Sequence, residues 1–257
     1  MTAQRGPFPA AAHKEAQIAM QIIADTHTHT IVSGDAHSTL LENLQAAKAR
    51  GLQFLCVTEH VSSIPRAAPP AYFKSMCSIP RSYDGVQIAR GVEANILDYT
   101  GKLDMPDDIL DWLDWVIASL HDLVIAPATK AEHTACWLAI AENPLVDVIG
   151  HCGDPRYAFD LDEVMGAFHR HGKIVEINSH SFTGRAGSRE GCRQVALACM
   201  KYDVPIVVSS DAHFVDHVGY FKEALDMLED IRFPEDLILN ADARRFEACL
   251  RGKRTQP

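Results

Sequence analysis

Two histidines, His27 and His29, stand one residue apart in the run Asp25-Thr-His27-Thr-His29. Alternate side chains of an extended strand share a face, so both rings can serve one centre. The same chemistry recurs along the chain at Glu59-His60, Glu93-Ala-Asn95, His121, His151 and Asp211-Ala-His213. Imidazole mixed with carboxylate suits Zn, Mn or Fe and does not suit Ca or Mg alone. A cation of this kind lowers the pKa of bound water to about 7 and so provides a nucleophile at neutral pH. Two such ions can clamp an attacking and a leaving oxygen, and a carboxylate such as Glu93 has two oxygens with which to bridge them. A lone histidine at a strand end is more often a satisfied core or surface ring. Recurrence at equivalent places along the chain is not explained that way.

The elements that would carry these residues follow from the apolar pattern. Short Val- and Ile-rich runs predict strands over 21–25, 54–58, 86–94, 115–120, 146–150, 174–178 and 206–210. Helical patterns fall at 39–50, 129–142, 161–171, 189–201 and 218–228. Asp160 and Asp216 read as N-terminal caps, and Gly51 and Gly172 as C-terminal stops. Alternating strands and helices imply a parallel sheet covered by helices, closed into a barrel or doubly wound. In either case a site lies at the carboxyl ends of the strands, where most of these histidines and carboxylates fall. The proline-rich stretch 61–83 predicts a long loop over one face. No Gly-x-Ser-x-Gly elbow and no Walker or Rossmann glycine pattern occurs.

The chain of 257 residues is the length of one α/β barrel. Residues 1–20, with a helix-like 12–20, read as an N-terminal extension, and 21–257 as a single domain. A net charge of -10 without a basic patch argues against a nucleic-acid partner. Seven cysteines, an odd number with no Cys-x-x-Cys, argue against a disulfide framework or a zinc ribbon and fit a reducing, cytoplasmic setting. No apolar run is long enough to span a membrane.

Taken together, these stretches resemble the PHP (polymerase and histidinol phosphatase) superfamily, most closely its small stand-alone bacterial phosphatases. The resemblance runs from about Ile22 to Leu250. It is carried by the stretches at 25–29, 57–60, 90–95, His121, 149–153, 176–178, 210–213 and 238–240. It implies an α/β fold, a distorted (β/α)7 TIM-like barrel, with three divalent ions at the strand ends, Zn first and Mn or Fe next. It also implies hydrolysis of small phosphate monoesters by a metal-bridging hydroxide. Matched position by position, one ion would take His27, His29, Glu93 and Asp211. A second would share Glu93 and take His121 and His151. A third would take Asp35, His60 and His213. Glu93, Asp211 and His213 would also serve catalysis.

The close relatives carry His where Asp35 stands, and here His37 follows two residues later. Asp35 is the expected ligand; His37 is a substitute ligand or a substrate contact. Cys152 replaces a usual Pro, with an effect expected on the local backbone alone. Arg185 and Arg81 are candidate contacts for a phosphate oxygen. His133, His169, His171, His180 and His217 are left outside the ligand set, and Trp112 and Trp115 read as packing. An acidic protein acting on an anion needs bound cations to reverse the local field. The expected partner is a small phosphorylated substrate, without nucleic acid or membrane, and a homo-oligomer is left open. Histidinol phosphatase, phosphodiesterase or nuclease, and non-catalytic metal binder are the alternatives.

Overall fold

The computed structural model describes residues 20–251. The expected helix-like segment 12–20 lies, apart from its last residue, outside them. The strands are β1 (Ala24–Thr28), β2 (Phe54–Val57), β3 (Ser82–Tyr83), β4 (Val86–Asn95), β5 (Trp115–Ser119), β6 (Val148–Ile149), β7 (Ile174–Asn178) and β8 (Ile206–Ser209). Seven of them run parallel in the order β1-β2-β4-β5-β6-β7-β8, and β3 is a short antiparallel partner of β4. The ring nearly closes where Thr28 bridges Ala212. There His29 N–H donates to Ala212 O at 2.9 Å, and Asp211 N–H donates to His27 O at 3.0 Å. The molecule is a nearly closed, TIM-like α/β barrel.

Below that contact β1 and β8 are bridged by Asn240. Its Nδ2 donates to Ala24 O at 2.8 Å and Val208 O at 2.7 Å, and its Oδ1 accepts from Val208 N–H at 3.0 Å. One buried amide thus supplies both donors and acceptors that a neighbouring strand would have supplied.

The helices are α1 (Leu40–Ala49), α2 (Pro70–Ser75), α3 (Asp107–Leu110), α4 (Lys130–Glu142), α5 (Leu161–Arg170), α6 (Ser181–Gly184), α7 (Ser188–Tyr202), α8 (Lys222–Asp230) and α9 (Ala243–Arg251). Thr39 with Glu42 and Thr129 with Glu132 form capping boxes that start α1 and α4. Asp160 caps α5 through Glu163 N–H, as expected. Gly51 and Gly172 take φ of +75° and +63° just past α1 and α5.

Three expectations are corrected. The first strand was expected over 21–25 and instead starts at Ala24 and continues through His27. Its polar residues are buried because each finds a partner, which an apolar pattern cannot register. The last expected helix, 218–228, begins only at Lys222, and Asp216 does not cap it. Gly219, at φ +73°, turns its N–H onto Asp25 Oδ2 at 2.7 Å and holds the chain out of the helix. The loop 61–83 contains α2 and β3. Among the described residues, no helix is long and apolar enough to cross a membrane.

Two apolar layers hold the barrel. A large one packs helices on the outer strand faces, and a smaller one fills the interior with Phe54, Cys56, Trp115, Ile117 and Val207. Phe246 of α9 enters that interior, with ring centroids 5.3 Å from Phe54 and 5.5 Å from Trp115, both edge-on. Trp115 is thus packing, as expected, and α9 stops the end of the barrel opposite the histidines.

Candidate metal centre

Interior positions alternate along each strand with the apolar outer layer, and at the carboxyl rim the interior residues become polar. On β7 the interior series is Ile174, Glu176, Asn178. On β4 it reaches Glu93, and beyond β8 it reaches Asp211. On β1 the alternation is broken on purpose by a bulge. Asp25 pairs with Leu55 but Thr28 pairs with Val57, so an extra residue sits between them. The bulge reverses the phase, so that His27 and His29 face inward while Asp25 faces Ser210 and Gly219 on the other side. Gly150 keeps the adjacent wall thin: a Cβ there would lie 2.1 Å from Ser119 Oγ.

Glu93 is the hub. Its Oε2 lies 3.2 Å from His27 Nε2, 3.5 Å from His29 Nε2 and 2.9 Å from His60 Nδ1. Its Oε1 lies 2.9 Å from His151 Nε2 and 3.2 Å from His121 Nε2. Asp211 Oδ1 is 3.2 Å from His29 Nε2 and 3.6 Å from His27 Nε2. Asp35 Oδ2 approaches His60 Nε2 at 3.5 Å and His213 Nε2 at 3.7 Å. All nine expected ligand residues are therefore brought together. His37, in contrast, is exposed, and the contact it makes to the centre is its backbone N–H on His213 O at 2.9 Å.

The donor set fits divalent cations. Ligand atoms about 2.0–2.1 Å from a tetrahedral ion stand about 3.3 Å apart, close to the separations seen. Glu93 Oε2 and His60 Nδ1 are buried and make no hydrogen bond despite their proximity. His27 Nε2 faces His29 Nε2 at 3.0 Å, and His121 Nε2 faces His151 Nε2 at 3.2 Å. In four of the centre's histidines the inward nitrogen is freed by a bond on the far side of the ring. His27 Nδ1–H donates to Glu176 Oε1 at 2.6 Å, His29 Nδ1–H to Ser33 Oγ at 2.9 Å, and His121 Nδ1–H to Asn95 Oδ1 at 2.7 Å. His213 Nδ1–H donates to Asp211 O at 3.0 Å. Such bonds fix the tautomer that a metal needs.

Without a cation the centre gathers protons instead. Burial opposes a charged His27, yet Glu176, Glu93 and Asp211 raise its pKa well above the usual imidazole value. Burial likewise opposes a charged His60, and Glu93 and Asp35 lift it to about 10. Burial and the neighbouring His60 and His213 push His29 well down. Burial and Arg185 take His151 to about 4. Burial works against ionised Glu93 and Asp211, but the surrounding histidines hold both well below the carboxylate range. His151 and Asp211 also hold φ of +26° and +55°, a backbone region uncommon for side-chain-bearing residues and concentrated at functional sites.

The supporting residues were not assigned roles from the sequence. Glu176 takes Ser209 Oγ–H at 2.6 Å and His151 N–H at 2.7 Å besides His27. Asn178 donates to Asp211 Oδ2 at 3.0 Å. Asp104 holds Asn95 at 2.6 Å, and Ser33 hands its own proton to Glu59 at 2.6 Å. The readable signal was the alternation of Glu176 and Asn178 on one face of a strand ending at the rim.

Arg185, 18% exposed, donates to Asp211 Oδ2 at 3.2 Å and to Ser181 Oγ at 3.0 Å. Arg81 instead pairs with Asp114, just before β5 and at the opposite end of the strands. His133 is occupied by Ala128 N–H and Ala158 O.

The PHP domain family matches residues 25–180, and the PHP-associated family matches residues 189–243. A "Probable phosphatase" of Acetivibrio thermocellus is 40% identical over 235 residues, 91% of this chain and 98% of that protein. A "Probable phosphatase" of Clostridium botulinum is 42% identical over 234 residues, covering 91% and 96%. Histidinol phosphate phosphatase of Lactococcus lactis, solved with zinc, L-histidinol and phosphate, shares the fold. It gives a TM-score of 0.61 at 19% identity, covering 82% of this chain and 94% of its own. The chain belongs to the PHP-domain family and is an enzyme of its phosphatase branch.

Proposed function

We propose that this enzyme hydrolyses small phosphate monoesters at a centre of three divalent cations held by His27, His29, Asp35, His60, Glu93, His121, His151, Asp211 and His213. The observation that carries the reading is Glu93: one fully buried carboxylate whose two oxygens face separate groups of histidine nitrogens. Bound cations would supply positive charge for the phosphoryl oxygens and acidify a water molecule. Zinc is the expected metal, supported by the imidazole-rich donor set and by the zinc in the Lactococcus structure.

The chain's own groups then divide the work. Arg185 binds a phosphoryl oxygen from the side of Asp211. Asp211 Oδ1 holds the proton given up by the attacking water. The water oxygen joins phosphorus, the bond from phosphorus to the alcohol oxygen breaks, and that proton leaves with the alcohol. His213 and Asp35 close the solvent side, with the exposed His37 as an outer substrate contact. The free cysteines fit a cytoplasmic enzyme. The test measures metals per chain, then turnover of p-nitrophenyl phosphate and bis-p-nitrophenyl phosphate with and without chelator. About three metals and chelator-sensitive monoester turnover are expected. Preference for the diester, or inertness of the metal-loaded protein on both, would sink the reading.

A further inference from the structure

We propose that a cavity beside the centre receives the alcohol part of the substrate, and that this alcohol is small and rich in hydroxyls, a polyol or sugar. This rests on the phosphatase reading above. The cavity holds about 350 Å³, within the range of small-molecule sites. It lies between the loop after β7 and the loop after β8. His180 forms part of its wall, and the His180 ring centroid is 6.1 Å from that of His213. The cavity therefore begins one imidazole away from the metal centre, a distance a phosphorylated alcohol spans.

Its lining is unlike a phosphate site. Among the described residues no Lys or Arg lines it, while Asp216 and Glu223 bring two carboxylates. The phosphoryl end belongs with Arg185 and the cations, and the neutral end belongs here. Thr183 and Tyr220 add hydroxyls, and His180 and His217 add ring nitrogens. Such a wall offers both donors and acceptors. An alcohol hydroxyl is also both, whereas an ammonium only donates and an alkyl or aryl group does neither. Burying those groups unpaired against an apolar ligand would carry a desolvation penalty. Tyr220 O–H fixes Glu223 Oε1 at 3.1 Å, yet the residue stays 44% exposed, leaving ring surface for the carbon face of a polyol.

The test compares a hexitol phosphate with hexyl phosphate, whose alkyl leaving groups are of similar length. The wild-type enzyme should favour the hexitol ester at least tenfold in kcat/KM. The double variant Asp216→Asn, Glu223→Gln should lose that preference through KM, to within about twofold of parity. Its metal content and its inhibition constant for inorganic phosphate, which carries no alcohol part, should stay within twofold of wild type. Equal handling of the two esters by the wild type, a stronger preference for an aminoalkyl phosphate, or an unchanged preference in the variant would each overturn the assignment while leaving the phosphatase reading intact. Inactivity of the metal-loaded enzyme on every monoester would remove both.

Discussion

At the scale of single residues, the centre depends as much on the groups behind its ligands as on the ligands. Glu176 accepts from His27 Nδ1–H, from Ser209 and from His151 N–H. Glutamine has one acceptor oxygen and would aim an amide proton at one of these donors. Glu176→Gln should therefore weaken metal affinity about 10–100-fold, measured by competition with a chelator; unchanged affinity would mean that His27 is oriented some other way. Arg185 is one of the charges that keep Asp211 ionised, after burial, which opposes ionisation, and alongside the histidines. Arg185→Met should raise KM for a phosphate ester and move the acid limb of the pH–rate profile upward, because losing a cation raises a carboxylate's pKa. A profile that overlays the wild type would contradict this. Eight of the nine candidate ligands were legible from residue type and place, and Asp35 came from the family resemblance; Glu176 and Asn178 were not legible, because a buried Glu beside a His is a ligand or a brace depending on which ring nitrogen it meets.

At the scale of elements, two departures from regular strands build the site. The bulge in β1 turns His27 and His29 inward, and Asn240 replaces strand pairing between β1 and β8. Asn240→Ala would leave two carbonyls and one N–H buried without partners. At about 1–3 kcal/mol for an unsatisfied buried group, a loss on the order of 3 kcal/mol is expected, read from denaturant midpoints. A loss below about 1 kcal/mol would mean that water or a shifted strand replaces the amide. The run Ile238-Leu-Asn240 stood out in the sequence, but nothing in it says that the side chain would serve as a piece of strand. Likewise α9 was missed because Phe246 is its one large aromatic anchor in the barrel and charged residues interrupt its short apolar pattern.

At the scale of the whole molecule, seven strands converge on one largely buried cluster of imidazoles and carboxylates, so folding takes these ionisable groups out of water. Metal should therefore stabilise the fold as well as the chemistry. With free metal at about a thousand times Kd, one site contributes about 4 kcal/mol, on the order of 10 °C in Tm for a chain of this size. Thermal melts with and without chelator check this. A Tm unchanged by chelation, with metal shown to be gone, would mean that protons on His27 and His60 replace the cations at no cost.

The sequence alone determined the residue types of the centre, their places at strand ends, and a parallel α/β sheet covered by helices, because residue chemistry and hydrophobic period are local properties; that the sheet closes into a barrel came from the family resemblance. Tertiary structure decided which atom faces which: Asp35 and not the His37 ring against His60 and His213, Arg185 and not Arg81 at the centre, and Asp25 turned away from His27 and His29. Those outcomes depend on a bulge, on barrel closure and on which loops meet at the rim, all of them set by contacts between residues far apart in the chain. His27 to Glu176, 149 residues apart in sequence and 2.6 Å apart in space, is the plainest case.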